Sequence, residues 1–235
     1  MNYNDPNNLI IICGCPGGGT SYVTKLLRFS GFAAGDDAGD LDDRKFHESL
    51  FFKNINKEIL SSKKIPKIIW DTNDLPKAIK VFADNKAVHE LYLNKYLNNK
   101  KIFDRRMIAS HGGQRGSGPW GWKDPRNSIT LPFWLKIFPG ARVLFITKKH
   151  NKHAVGISKS GKAFIASDKE LRQFYFKPPY FDEKIDHLTI SFEEVTVNFN
   201  KFNELLCWIG LCEISNNSFE SLLYSTKFEG TIKCI

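Results

Sequence analysis

The residues best suited to chemistry follow an unbroken apolar run, Leu9–Cys13. They read Gly14-Cys-Pro-Gly-Gly-Gly-Thr-Ser21. Successive backbone N–H groups in a glycine-rich turn that opens a helix form a concave anion site. Gly17, Gly18 and Gly19 let the backbone approach an anion closely, and Thr20 and Ser21 add hydroxyl donors. The spacing from Gly14 to Gly19 imitates a Walker A loop, but Thr20 stands where that loop needs its lysine. An ordinary ATPase is therefore not expected. The plain alternative is a tight strand-to-helix turn that binds nothing. A second group is Lys123-Asp-Pro-Arg126. Pro125 disfavours helix at Asp124, so a turn at a strand end presents Lys123 and Arg126. The alternative there is an Asp124–Arg126 surface pair, worth little.

These residues need elements to hold them. Leu9–Cys13 reads as a buried parallel strand. Tyr22, Val23, Leu26, Leu27 and Phe29 have helical spacing, with Gly31 as a C-terminal stop. Phe46 to Leu60 and Ala78 to Leu97 are two further helical patterns. A glycine-rich loop covers residues 110–119 and contains His111, to which nothing assigns a role. Trp120 and Trp122 are expected in the core rather than against an adenine. An apolar stretch runs from Arg126 to Phe138. Arg142–Thr147 is a second buried strand, Asn151–Lys159 a helix start and His187–Phe192 a third strand. Glu193 and Glu194 then form a cap cluster, and Phe199 to Ile209 forms a final helix stopped at Gly210. Strands alternating with helices predict an α/β chain: three layers, α/β/α, around a central parallel sheet. Ligands of such a sheet sit at the carboxyl ends of its strands. No repeat or linker divides the chain, so 1–235 is expected to be a single domain with its core at about 9–212.

Composition narrows the function. The chain has 235 residues, 42% hydrophobic and 25% charged, which excludes a disordered or collagen-like protein. Its net charge of +9 favours anionic partners. The lysines are dispersed, with only short knots at Lys63–Lys64, Lys100–Lys101 and Lys148–Lys149, so a nucleic-acid partner is not expected. No apolar run approaches the ~20 residues that span a bilayer. The opening MNYNDPNN, polar and acidic, is expected to be neither a signal nor a transit peptide. Cys13, Cys15, Cys207, Cys212 and Cys234 are too few and irregular for a disulfide scaffold, and no His/Cys set has zinc spacing. Reduced thiols, a cytoplasmic location and no metal are expected.

Residues 11–36 resemble the opening of PAPS-dependent sulfotransferases: an apolar strand, G-x-P-[RK]-S-G-T-[ST], an amphipathic helix and a Gly-Asp turn. Here they read IICGCPGGGTS, YVTKLLRFSGF and Ala34-Gly-Asp36. Lys45-Phe-His-Glu48 resembles the "G-hydrophobic-x-E" segment of one bacterial branch, and Trp120–Arg126 with PFWLKIFPGARVLFI resembles that branch's "WGWKDPR…LPxWxxxFPxAxxI". His150-Asn-Lys-His-Ala-Val-Gly-Ile-Ser158 sits where the family has R-N-P-x-x-V-x-x-S, and His187–Leu211 resembles its "Y-E-D-L…L…FLGL" ending. The similarity spans about residues 9–212.

This resemblance implies a P-loop NTPase-like sulfotransferase fold that moves a sulfuryl group from PAPS to a hydroxyl or amine of a small-molecule or glycan acceptor, without a metal. It implies that Gly17, Gly18, Gly19, Thr20 and Ser21 hold the 5′-phosphosulfate and that Ser158 and His150 hold the 3′-phosphate. The family carries Arg or Lys at the position of Gly17, to stabilise the leaving oxygen, and Arg at the position of His150. Lys123 or Arg126 is expected to replace the first cation, and Lys148, Lys149 or Lys152 to help at the second. In-line transfer also needs a base for the acceptor proton. Glu48, on the helix after the Gly-Asp region, is the candidate; His47 is the neighbouring alternative, and an ordinary solvated Glu at a helix start is the plain one. Two rival readings stay open: a catalytically weakened nucleotide- or glycan-binding protein on the same fold, and a P-loop kinase of a small metabolite.

Overall fold

The structure, a computed structural model, describes residues 8–14, 18–34, 48–60, 118–148, 156–157, 163–164 and 184–228, with isolated helical positions at 90, 93 and 94. Among the described residues the strands are β1 (Leu9–Gly14), β2 (Ala33–Ala34), β3 (Trp120–Lys123), β4 (Arg142–Thr147), β5 (Gly156–Ile157), β6 (Ala163–Phe164) and β7 (His187–Ser191). The helices used below are α1 (Thr20–Phe29), α2 (Leu50–Leu60), α3 (Asn127–Ile137), α4 (Phe192–Val197), α5 (Phe199–Ile209) and α6 (Asn216–Phe228).

Five strands form one sheet in the order β2-β3-β1-β4-β7. Every pairing in it is parallel. β1 is central and buried along its whole length, as its continuous apolar sequence requires. Its alternate side chains enter two different cores. Leu9, Ile11 and Cys13 pack with Phe52, Ile55 and Ile59 of α2 and with Leu131, Phe133 and Trp134 of α3. Ile10 and Ile12 pack with Val23, Leu26 and Leu27 of α1, with Phe202, Leu205 and Leu206 of α5 and with Phe219 of α6. Helices therefore cover both faces, and the three-layer α/β/α architecture follows.

From β1 the chain turns to the β2–β3 side, and from β4 it turns to the β7 side. Adjacent strands whose connections leave in opposite directions open a crevice at their carboxyl ends. Gly14, the last residue of β1, pairs with Ile146 of β4 at that place.

Local signals act as their residue types dictate. At the end of α1, Phe32 N–H donates to Leu27 C=O and Gly31 N–H to Arg28 C=O, with Gly31 at φ 104°. This is the left-handed glycine stop. Gly210 ends α5 in the same left-handed region. Ser191 precedes α4 and donates to Glu193, which with Glu194 lies in the first turn. The apolar stretch after Arg126 is α3; it is apolar on nearly all sides because it is buried among neighbours.

Three expectations need correction. The helix start expected over Asn151–Lys159 fails at Gly156–Ile157, which pairs antiparallel with Ala163–Phe164. A glycine followed by a β-branched residue is a poor helix interior and a tolerable strand. The helix at Phe199–Ile209 is not the last: α6 follows it and packs on α1, where Thr226 Oγ1 donates to the Tyr22 hydroxyl at 2.9 Å and Lys25 Nζ to Thr226 C=O. The short strand β2 was not anticipated, being only two alanines. The pattern over Ala78–Leu97 and the loop at 110–119 lie almost wholly outside the described residues.

Candidate active site

The glycine turn and α1 begin the site. Gly19 is the N-cap of α1, left-handed at φ 82°, and no side chain caps this end. The first helical bond runs from Val23 N–H to Gly19 C=O, so the N–H groups of Thr20, Ser21 and Tyr22 lack partners within the helix. The first turn holds no acidic residue. An anion fits such an end on both hydrogen bonding and dipole. The glycines also serve packing. A Cβ on Gly19 would overlap the ring of Phe192, and one on Gly14 would stand 2.5 Å from Thr20 Cγ2 and 2.8 Å from Ile146 C=O. Tyr22 meets Phe192 edge-on, and Lys148 Nζ lies 5.0 Å from its ring centre. Thr20 is buried and Ser21 half-buried, so Ser21 is the more accessible hydroxyl.

Next to this turn, at the carboxyl end of β3, lies an ionic cluster. Lys123 is the register partner of Ile12, two residues before Gly14. Strand rise and spacing place the Lys123 and Gly14 Cα atoms about 8 Å apart. Lys123 Nζ donates to Glu48 Oε1 at 3.1 Å, Lys53 Nζ lies 3.0 Å from Glu48 Oε2, and an Arg126 terminal nitrogen stands 3.6 Å from the same oxygen. The Lys123 side chain is 2% exposed, Glu48 8%, Arg126 12% and Lys53 14%. Burial pushes the Glu48 carboxyl up, but Lys123 and Lys53 outweigh it and hold the group below its ordinary value. Burial also pushes the Lys123 ammonium down, against the pull of Glu48. Lys57, one helical turn beyond Lys53, is exposed, yet partial desolvation and then Lys53 and Arg126 lower its ammonium too.

A buried polar platform fixes the cluster from below. Asn56 of α2 uses its full hydrogen-bonding capacity. Its Nδ2 donates to Asp124 Oδ2 at 3.0 Å and Asn127 Oδ1 at 2.9 Å. Its Oδ1 accepts from Thr130 Oγ1 at 2.7 Å and Trp134 Nε1 at 2.9 Å. Asn127 also accepts from Trp122 Nε1 and donates to Ile12 C=O, tying the platform to β3 and β1. Asp124 in turn accepts from the backbone N–H of Arg126 at 2.9 Å and from its Nε at 2.8 Å. The turn that Pro125 imposes thus aims the guanidinium at Glu48. Trp122 is core, stacked on Phe52 at 3.8 Å between ring centres.

The structure therefore brings together Glu48, Lys123 and Arg126, and beside them Gly18, Gly19, Thr20 and Ser21. Two plain alternatives fail: Asp124, the partner of Arg126, is buried, so the two are not a surface pair, and Glu48 is buried rather than solvated. Gly17, His47, His150 and Ser158 lie outside the described residues. Lys53, Asn56, Asn127 and Thr130 were missed. Only Asn56 carried a signal in its spacing: it lies between Ile55 and Ile59, three residues before the latter, a polar residue on the apolar side of α2. Polar residues at such positions need buried partners. Among the described residues, no group of His, Cys, Asp and Glu could hold a metal ion, and no helix is long and apolar enough to cross a membrane. In comparisons with known proteins, no family model matches this chain and no curated protein matches it significantly.

Proposed function

We propose that the chain is a sulfotransferase that uses PAPS as donor and a hydroxyl or amine of a small molecule or glycan as acceptor. The observation that supports this most is the juxtaposition of an uncapped, acid-free α1 N-terminus with the Glu48–Lys123–Arg126 cluster, at the switch point of an all-parallel sheet. PAPS, when bound, supplies the activated sulfuryl group. The N–H groups of residues 19–22, with Gly17, Gly18 and the Ser21 hydroxyl, hold its 5′ end, and His150 and Ser158 hold the 3′-phosphate. Glu48 accepts the proton that the acceptor loses as its oxygen or nitrogen bonds to sulfur. Lys123, with Arg126 beside it, neutralises the phosphate oxygen released as the old S–O bond breaks, the task that Gly17 cannot perform.

Positioned proton transfer is worth about 10²–10⁴-fold in rate. The expected outcome is that Glu48→Gln loses turnover of that order, measured as release of adenosine 3′,5′-bisphosphate from PAPS over a panel of acceptors, while affinity for the bisphosphate holds. Equal turnover by the variant and the parent contradicts the assignment. A second reading has its own observation. Glu48 is held by three cations and kept below its ordinary value, which makes it a weak base. A protein that binds PAPS and transfers to nothing in that panel is the nucleotide- or glycan-binding protein instead.

A further inference from the structure

The two oxygens of Glu48 differ in what holds them. Oε1 accepts from Lys123, the most deeply buried member of the cluster, which β3 keeps in register with Ile12. Oε2 faces Lys53 at 3.0 Å and a terminal nitrogen of Arg126 at 3.6 Å, and both of these residues are more exposed than Lys123. Arg126 is fixed there, because its Nε and backbone N–H both donate to Asp124, which Asn56 holds in turn. Lys53 is the most exposed of the three and reaches Glu48 from the first turn of α2 on a flexible four-carbon stem. It has a further interaction besides Glu48, so leaving the carboxylate does not strand the ammonium. A general base must stand about 2.6–3.2 Å from the atom whose proton it takes. At Oε2, the more exposed side, the Lys53 ammonium occupies that place. Lys123 and Lys53 are also the groups that hold the carboxyl below its ordinary value against burial. Arg126, Asp124 and Lys57 are the other charged groups facing the cluster among the described residues.

We propose that Lys53 is a latch on Glu48: it closes Oε2 while no acceptor is bound and yields that oxygen to the acceptor's hydroxyl or amine. The acceptor then donates its hydrogen bond to Oε2 where the ammonium stood. Its proton passes to Oε2 as its oxygen or nitrogen bonds to sulfur and the sulfur–oxygen bond to the phosphate breaks. Lys53 keeps its own proton, and Lys123 stays on Oε1. Lys53 thus acts through Glu48, as a positioning residue. The release step rests on the transfer reading above; the closed Oε2 rests on the contact alone. The carboxylate is a weak base with Lys53 in place and a stronger one once Lys53 has left. While the latch is closed, Glu48 does not serve water either, and the donor is spared hydrolysis.

The test compares Lys53→Met, which keeps an apolar stem, with Lys53→Arg, which keeps the charge. PAPS is the donor and water the only acceptor. Release of adenosine 3′,5′-bisphosphate should rise about three- to tenfold in Lys53→Met, as for a stronger base, and stay near the parent's rate in Lys53→Arg. The acid limb of that rate should move to higher pH in Lys53→Met, because Glu48 loses a cation that keeps it ionised. The second measurement needs no activity. In the ligand-free full chain, the ¹³C NMR signal of the Glu48 carboxyl, assigned by its absence in Glu48→Gln, should titrate at higher pH in Lys53→Met than in the parent. A rate that falls, an acid limb that stays in place, or a Glu48 signal that titrates where the parent's does would overturn the latch. The two measurements also separate the two readings. A Glu48 signal that moves as expected, in a chain that releases no bisphosphate from PAPS, upholds the closed Oε2 and fails the transfer reading with its release step. Release of the bisphosphate with an unmoved Glu48 signal upholds the transfer reading and fails the latch.

Discussion

At Glu48 one carboxylate meets three cationic side chains, at 3.0, 3.1 and 3.6 Å. Removing it strands Lys123, and breaking one partner of a buried pair costs about 3–5 kcal/mol. Glu48→Gln is therefore expected to lose stability of that order in urea denaturation. Glu48→Gln combined with Lys123→Met should recover part of the loss, because no buried charge is then left without its partner. Additive losses in the double variant would contradict the pairing. The pH dependence has a definite sign. The folded carboxyl lies below its ordinary 4.5, so its contribution is present above that pH and is lost as pH falls through the folded value. The parent should lose stability below about pH 4.5 more steeply than Glu48→Gln does. Parallel acid limbs would mean that other carboxylates carry the effect. Lys123 and Arg126 were legible here, because Pro125 announces a turn at a strand end. The depth of Glu48 was not, because its burial depends on α2 and β3 meeting across some seventy residues of chain.

Between α1 and α4, the glycine turn shows one residue type answering two demands. Its N–H groups suit an anion, but Gly19 also lacks a Cβ because Phe192 fills that space. Loss of ligand binding in Gly19→Val would thus not separate a phosphate contact from a packing clash. A cleaner comparison uses stability. Gly19→Ala costs about 1–2 kcal/mol from the left-handed backbone alone. In the parent it should cost more, because the methyl meets Phe192. In a Phe192→Ala background only the backbone cost should remain. The same difference in both backgrounds would show that Phe192 does not constrain the turn. At α2, Asn56→Ala strands buried groups on Asp124, Asn127, Thr130 and Trp134. Each such group costs about 1–3 kcal/mol, so a loss above about 3 kcal/mol is expected in denaturant unfolding. A loss under about 1 kcal/mol would mean that the platform relaxes freely. β1, α1, β4, β7 and α5 were legible because apolar runs, alternation and glycine stops are local signals. α6 was not: its apolar residues Phe219, Leu222 and Leu223 are few, and its partners Tyr22 and Lys25 lie some two hundred residues away. Nor was the strand at Gly156–Ile157, whose partner is needed to define it.

For the whole molecule, the parallel sheet and the two cores that alternate along β1 set one edge at which chemistry can occur. There the connections after β1 and β4 leave in opposite directions, the first N–H groups of α1 lack partners within the helix, and β3 ends in Lys123. The net charge of +9 favours anionic partners in general. The transfer reading stands or falls on one ligand. Calorimetric titration with adenosine 3′,5′-bisphosphate, with adenosine as the uncharged control, measures it directly. Saturable one-to-one binding of the bisphosphate, and none of adenosine, is the predicted result. No saturable binding of the bisphosphate by the folded chain would contradict the account.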